Sequence, residues 1–318
     1  MAVTGIDKKV ITQVCIIVRD AEKTVTRYAD ILGFTPRELQ TTLTHKDIEA
    51  TYYGQPTDAR AKFTWFDIGQ IQFEIMQPLD PQSSWHDFLD KHGEGIHHIA
   101  FFVPNTDTAA QSFVDHGYVI TQQGLFTGKS GKYTYLDTDK DLGVSIELLE
   151  HFGGSPDLQG PPFPPDKGIG SDTVCQVGII VKDIEATSQR YCDVLGLPKA
   201  NIFSTPGYEV VKTTFNGQPS DATAKLAFFS VGQLQIELIE PDEKPSVWRE
   251  FLEQHGEGAH HIAFPVKNTQ SATDYLAQHG IPVTQHGLYG DLSGMYTYLA
   301  SEHALGTTVE LLESFARG

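Results

Sequence analysis

Cysteine is scarce in this chain: three in 318 residues, at Cys15, Cys175 and Cys192. They form neither a disulfide framework nor a zinc-type CxxC pair. Cys15 and Cys192 fall in apolar strand and helix patterns, where a buried thiol is the ordinary expectation. A reducing, cytoplasmic setting fits. Positive charge is also short, with 23 Lys plus Arg against 41 Asp plus Glu and a formal net charge of −18. That balance argues against nucleic acid or an anionic membrane surface as partner. An anionic small substrate stays open, because a bound cation reverses the local field. Long apolar runs are missing too: no stretch approaches the roughly 18 apolar residues of a membrane span, and Met1–Lys9 lacks the apolar segment of a secretory leader. What remains is a globular composition, 40% hydrophobic and 20% charged, over a length sufficient for two domains with a core each.

The strongest positive signal is a duplication. Gln13-Val14-Cys15-Ile16-Ile17-Val18 returns as Gln176-Val177-Gly178-Ile179-Ile180-Val181. His92-Gly93-Glu94-Gly95-Ile96-His97-His98-Ile99-Ala100 returns as His255-Gly256-Glu257-Gly258-Ala259-His260-His261-Ile262-Ala263. Gly54–Ala59 and Ile146–Glu150 also recur, and every pair is displaced by 163 positions. Two homologous halves are therefore expected, at residues 8–152 and 171–315. The stretch 153–170 contains Pro161-Pro162-Phe163-Pro164-Pro165 and reads as a semi-rigid connector.

Each half divides again. After Gln13 comes an apolar strand, then Asp20 as a helix cap, apolar positions at helical spacing over Ala21 to Leu32, and Gly33 as a stop. The same grammar follows His98, with a helix over Asn105 to Asp115 and Gly117 beyond it. Further strands are expected near 45–52, 61–67 and 70–76, and near 118–123, 132–136 and 144–149. The unit is thus strand, helix and three strands, present four times. Trp85, Phe88 and Leu89 mark a short helix between the two units of the first half.

The informative residues are those that break the apolar pattern. Gln13 and His98 open corresponding strands, while Glu74 and Glu147 sit inside Ile71–Met76 and Val144–Leu149. Alternation places Glu74 on a face with Gln72 and Met76, opposite Phe73 and Ile75. A carboxylate on such a face needs a partner. One imidazole, one amide oxygen and two carboxylates suit Zn²⁺, Ni²⁺, Co²⁺, Mn²⁺ or Fe²⁺, and the lack of thiolates speaks against a purely structural zinc. Taken singly, each of these residues is most simply a solvated or hydrogen-bonded strand residue; their coincidence at matching places is what favours a metal.

These patterns resemble the vicinal oxygen chelate superfamily, which includes glyoxalase I, methylmalonyl-CoA epimerase, extradiol dioxygenases and the bleomycin and fosfomycin resistance proteins. The likeness spans nearly the whole chain apart from linker and termini. Gly69–Leu79, the Trp85–His92 helix and Gly95–Phe101 resemble the epimerase, and Gly232–Pro241 with Gly258–Phe264 repeat them. The resemblance implies an α+β fold, with four βαβββ units paired into two cup-shaped domains. It implies metal sets Gln13, Glu74, His98 and Glu147, and Gln176, Glu237, His261 and Glu310, holding two divalent transition metals per chain. His97 and His260 are expected on the other face of their strand. The epimerases carry His where this chain has Gln13 and Gln176, and glyoxalase I of the glutamine type supplies the matching set.

Such a site polarises a carbonyl and moves a proton through an enediolate. Asp58 and Asp221 stand sixteen residues before Glu74 and Glu237, where the epimerases carry a base glutamate; a turn residue is their plainer reading. Glu147 and Glu310 are the other proton-transfer candidates. Tyr133, Tyr135, Tyr296 and Tyr298 are placed to touch a substrate or to pack, and Lys62 and Lys225 to meet an anion or face water. The expected function is a metal-dependent epimerase, isomerase or glyoxalase-like lyase acting on a small oxygenated metabolite. The alternatives are an extradiol-type dioxygenase or a non-catalytic binding or resistance protein. A homodimer is compatible with either.

Overall fold

The computed structural model describes residues 2–6, 9–69, 71–154 and 168–315. The proline cluster of the connector lies outside them. In the first half, β1 (Ile11–Ile17) leads into α1 (Ala21–Leu32), β2 (Gln40–Thr41), α2 (His45–Ile48), β3 (Thr51–Tyr52) and β4 (Gln55–Pro56). Then come β5 (Ala61–Ile68), β6 (Ile71–Pro78) and α3 (Ser84–His92). The second unit runs β7 (Gly95–Phe102), α4 (Thr106–Asp115), β8 (Ile120–Leu125), β9 (Gly131–Leu136), α5 (Asp139–Leu142) and β10 (Ser145–His151).

The other half repeats this order. It begins with β11 (Gln176–Ile180), α6 (Ile184–Leu195), β12 (Phe203–Ser204), α7 (Tyr208–Val211), β13 (Thr214–Phe215) and β14 (Gln218–Pro219). Next are β15 (Ala224–Val231), β16 (Leu234–Pro241), α8 (Val247–His255), β17 (Gly258–Pro265) and α9 (Thr269–Gln278). It closes with β18 (Val283–Leu288), β19 (Gly294–Leu299), α10 (Glu302–Leu305) and β20 (Thr308–Ser314).

Local chemistry sets the helix ends. Asp20 accepts from Lys23 N at 3.0 Å, and Gly33 takes the left-handed conformation at φ 75° that closes α1. Asn105 caps α4 and Ser83 caps α3 in the same way. One expected strand is different. Residues 45–52 form α2 and only then β3, because Asp58 Oδ1 accepts from His45 N and Ile48 turns inward. The third strand of the first unit is instead the two-residue β2, paired with β5. The β3–β4 hairpin crosses to the far edge and pairs with β8 of the second unit.

Each half curls a ten-stranded sheet into a cup, in the order β2-β5-β6-β1-β7-β10-β9-β8-β3-β4 and its counterpart. At the centre β1 runs parallel to β6 and antiparallel to β7, and β7 runs parallel to β10. The helix-covered face carries Val14, Ile16, Phe73, Ile75 and Ile99 in one apolar core that continues into the other half. The opposite face, inside the cup, carries Cys15, Ile17, Met76, Ala100 and Leu149 under Trp85, Tyr133 and Tyr135. Alternation along the strands therefore puts Gln13, Glu74, His98 and Glu147 inside the cup. Among the described residues no helix is long and apolar enough to cross a membrane.

The halves dock by a reciprocal exchange. Tyr28 Oη of α1 donates to Leu305 O at 2.9 Å, and Tyr191 Oη of α6 donates to Leu142 O at 2.7 Å. Gly143 and Gly306 lie at φ 71° and 74°, and an added Cβ would come within 2.4 Å of Ile179 and 2.7 Å of Val18 respectively. The carbonyls are buried, so removing the phenol leaves an acceptor unpaired. Tyr28→Phe should lower unfolding free energy by about 1–3 kcal/mol, Tyr191→Phe by a similar amount, and the two should add in chemical denaturation. An unchanged midpoint in both variants would show that the phenols do not hold the halves.

Candidate metal centres

Four strands near the sheet centre, β1, β6, β7 and β10, each deliver one polar side chain to the floor of the cup. Gln13, Glu74, His98 and Glu147 are all buried, His98 completely. His98 Nε2 lies 3.1 Å from Glu147 Oε2 and 3.5 Å from Glu74 Oε2. In the second half His261 Nε2 stands 3.1 Å from Glu310 Oε2 and 3.5 Å from Glu237 Oε2. Gln176 is buried on the adjoining strand β11, opposite Ala263. The histidine and two glutamates of each expected set thus lie together, with Gln13 Oε1 3.3 Å from His98 Nε2 and Gln176 on β11 between β16 and β17.

The donor atoms fit a first-row divalent ion. Ligand atoms held at about 2.0–2.2 Å from a common centre lie roughly 3.0–3.5 Å from one another, the spacing seen here. In the second cluster Gln176 Oε1, Glu237 Oε2, His261 Nε2 and Glu310 Oε2 are all buried without a hydrogen-bond partner in the protein. Buried polar atoms without a hydrogen bond each cost free energy, and a cation would serve Glu237, His261 and Glu310 together. In the first cluster Gln13 has two orientations. Its amide nitrogen can donate to Glu147 Oε2 at 2.7 Å while its oxygen accepts from Trp65 Nε1 at 2.9 Å. A half-turn points the oxygen inward, 3.3 Å from His98 Nε2, as a ligand would be.

Burial shapes the titration. It pushes the Glu74 carboxyl up to about 7 and the Glu237 carboxyl up to about 6, from an ordinary 4.5. Burial opposes charge on His261, but the Glu310 and Glu237 carboxylates outweigh it and raise the imidazole to about 9. Tyr135 stands edge-on to His98 with ring centroids 4.9 Å apart. Burial first, then Glu147 and Glu74, raise its phenol well above the usual range, so it stays a donor. Tyr298 holds the matching place beside His261.

Other expected residues are placed elsewhere. Asp58 and Asp221 are exposed and accept from the first backbone N–H of α2 and α7. Lys62 pairs with Glu22 and Lys225 with Glu240 in surface ion pairs. Tyr133 packs against Trp85. His97 and His260 do not turn to the opposite face. Cys15 faces His98 while Ile16 faces Ile96, so His97 is the extra residue of a β-bulge, and the same shift occurs at His260. The bulge turns His97 into the cup beside His98, where their Nδ1 atoms are 2.9 Å apart.

Two cup residues were not anticipated in these roles. Cys15 lies within ligand distance of Glu74 and His98; strand alternation from Gln13 could have flagged it. Trp65 is directly opposite Glu74 in register, a pairing no local pattern reveals.

Comparison with known proteins agrees with this architecture. The sequence profile described as Glyoxalase/Bleomycin resistance protein/Dioxygenase superfamily matches residues 12–135 and again 175–298. The Bacillus subtilis (strain 168) uncharacterized protein YqjC is 29% identical over 97 residues, 30% of this chain and 69% of that protein. A triple mutant of 4-hydroxymandelate synthase from Streptomyces coelicolor is similar over 98% of this chain and 94% of that one, at 16% identity and a TM-score of 0.60. The 2,3-dioxygenase LapB from Pseudomonas sp. KL28 is similar over 100% and 95%, at 15% identity and a TM-score of 0.51. At these identities the two structures speak for the fold alone.

The buried carboxyls also set a pH dependence. Because Glu74 and Glu237 titrate above their ordinary value, the folded metal-free chain retains protons that the unfolded chain has released. That stabilisation is complete below about pH 4.5 and is lost as pH rises through 6 to 7. Metal binding has the opposite sign, since ligands must be deprotonated. Melting curves of chelator-treated protein should show this downward slope between about pH 4.5 and 7, reduced in a Glu74→Gln, Glu237→Gln variant. Added Zn²⁺ should stabilise more at pH 8 than at pH 5. Equal stabilisation by Zn²⁺ at the two pH values would contradict the assignment.

Proposed function

Because the chain belongs to the glyoxalase/bleomycin resistance protein/dioxygenase superfamily, we propose that it is a divalent-metal-dependent enzyme that moves a proton through an enediolate on a small oxygenated metabolite. The reaction class is an epimerisation, an isomerisation or a glyoxalase-like lysis, in two domains spanning 8–152 and 171–315. The observation that carries this reading is the gathering of one imidazole and two carboxylates in the buried floor of each cup, made twice, with a buried glutamine on the adjoining strand.

Gln13, Glu74, His98 and Glu147, or Gln176, Glu237, His261 and Glu310, would hold a divalent ion, which would supply Lewis-acid polarisation of a substrate carbonyl. Glu147 and Glu310 then carry the proton. Each lies on the cup face beside a tyrosine, in register with Tyr135 or Tyr298. A carboxylate there removes the proton next to the polarised carbonyl and returns it to the same carbon or its neighbour. The phenols of Tyr135 and Tyr298 donate toward the carboxylates, and the aromatic lining with Trp85 and Trp248 restricts water. Asp58 and Asp221 are exposed and accept from helix N-termini, so this reading assigns the transfer to Glu147 and Glu310 instead.

An iron oxygenase of the extradiol kind uses two histidines and one carboxylate. Here the second histidine described at each cluster turns its Nδ1 to the neighbouring imidazole, which favours proton transfer over oxygen chemistry.

Protein purified without chelator should hold two equivalents of one transition metal, and it should exchange the α-proton of an α-oxo acid or thioester substrate with D₂O. Glu147→Gln combined with Glu310→Gln keeps an oxygen donor at each site and should slow that exchange about 10²–10⁴-fold. Undiminished exchange would rule out these two residues as proton carriers. Absence of transition metal from both halves would rule out the enzyme class.

A further inference from the structure

We propose that His97 and His260 are positioning residues, each fixing the tautomer and ring orientation of its neighbouring ligand, His98 or His261, through a single Nδ1-to-Nδ1 hydrogen bond. This role rests on the metal-site reading above. His98 Nε2 faces the two carboxylates and the Gln13 amide. As a ligand atom it presents its lone pair there, so the ring proton sits on Nδ1. That Nδ1 lies 2.9 Å from His97 Nδ1, and His261 Nδ1 lies 3.1 Å from His260 Nδ1. Each first histidine must therefore accept, which places its own proton on Nε2.

The arrangement is built rather than incidental. Adjacent residues of a regular strand point to opposite faces, and only the bulge at His97 sets two imidazoles side by side. The His97 ring is 4% exposed and is held between Phe88 at 5.1 Å and Tyr135 at 5.7 Å between centroids. His260 is held alike, by Phe251 at 4.9 Å and Tyr298 at 5.7 Å. With its rotation blocked, the acceptor lone pair has one direction, toward the ligand. Partners of this kind raise the basicity of a ligating imidazole and keep it turned to the metal.

The test is a Co²⁺ titration of the full chain followed by its visible spectrum, in which the unaltered half serves as internal control. His97→Phe keeps the ring volume and removes the acceptor. It should weaken one of the two equivalents about 10–100-fold and change the spectrum of that equivalent alone. His260→Phe should do the same to the other. His97→Asn, whose amide oxygen falls near the lost Nδ1, should restore most of the affinity. Long-range ¹H–¹⁵N spectra of Zn²⁺-loaded protein should place the protons of His98 and His261 on Nδ1 and those of His97 and His260 on Nε2. Unchanged Co²⁺ affinity in both Phe variants, an Asn variant as weak as the Phe variant, or a proton on His97 Nδ1 would overturn the proposal alone. A wild-type chain that binds no Co²⁺ would overturn it together with the metal-site reading.

Discussion

Two carboxylates facing one imidazole inside an apolar cup are the constraint from which the rest of each half follows. Glu74 and Glu147 are buried at 4% and 3% exposure, with His98 fully buried between them. A carboxylate so placed either takes up a proton or acquires a positive partner, and the upward shift of Glu74 is the protonation route made visible. One imidazole carries at most a single positive charge against two carboxylates. A divalent cation offsets both, and it needs the four strands to meet at their centres rather than at their edges.

The sheet topology meets that need. Parallel pairing of β1 with β6 and of β7 with β10, across the antiparallel β1–β7 seam, sets the ligand positions on four adjacent strands. The seam carries the bulge, and the bulge carries His97. A feature that costs a ladder hydrogen bond thus lies at the one place where the ligand imidazole needs a neighbour. On the helix side, the same strands bury Val14, Phe73, Ile99 and Ile146 in a core shared by both halves.

The two centres are alike in ligands and unlike in surroundings. Cys15 and Trp65 in the first correspond to Gly178 and Phe228 in the second. A Cβ at Gly178 would stand 1.8 Å from His261 Cε1, so the His261 ring occupies volume that a side chain at this position would need. Trp65 offers an indole N–H to the first cluster, and Phe228 offers none to the second.

Much of this was legible from the residues. Asp20, Ala21–Leu32 and Gly33 specify α1 end to end because caps and 3.6-residue periodicity are local signals. The four ligand positions of each half stood out because each interrupts an apolar strand, and the constant offset of 163 made the two sets one pattern. The strand expected over 45–52 failed because α2 is stabilised by Asp58, thirteen residues away in sequence. His97 was misplaced because a bulge is a property of two paired strands, and strict alternation applies only where their registers keep step. Asp58 was read as a turn residue or a base, and only its bond to His45 N reveals a cap. The sequence by itself determined the duplication, longer helices such as α1 and α4, and the eight polar residues that interrupt apolar strands, all of which depend on local spacing or identity. Tertiary structure alone decided which atoms converge, how the halves dock through Tyr28 and Tyr191, and why two adjacent histidines share one face, because each of these is set by contacts between residues far apart in the chain or by the register of paired strands.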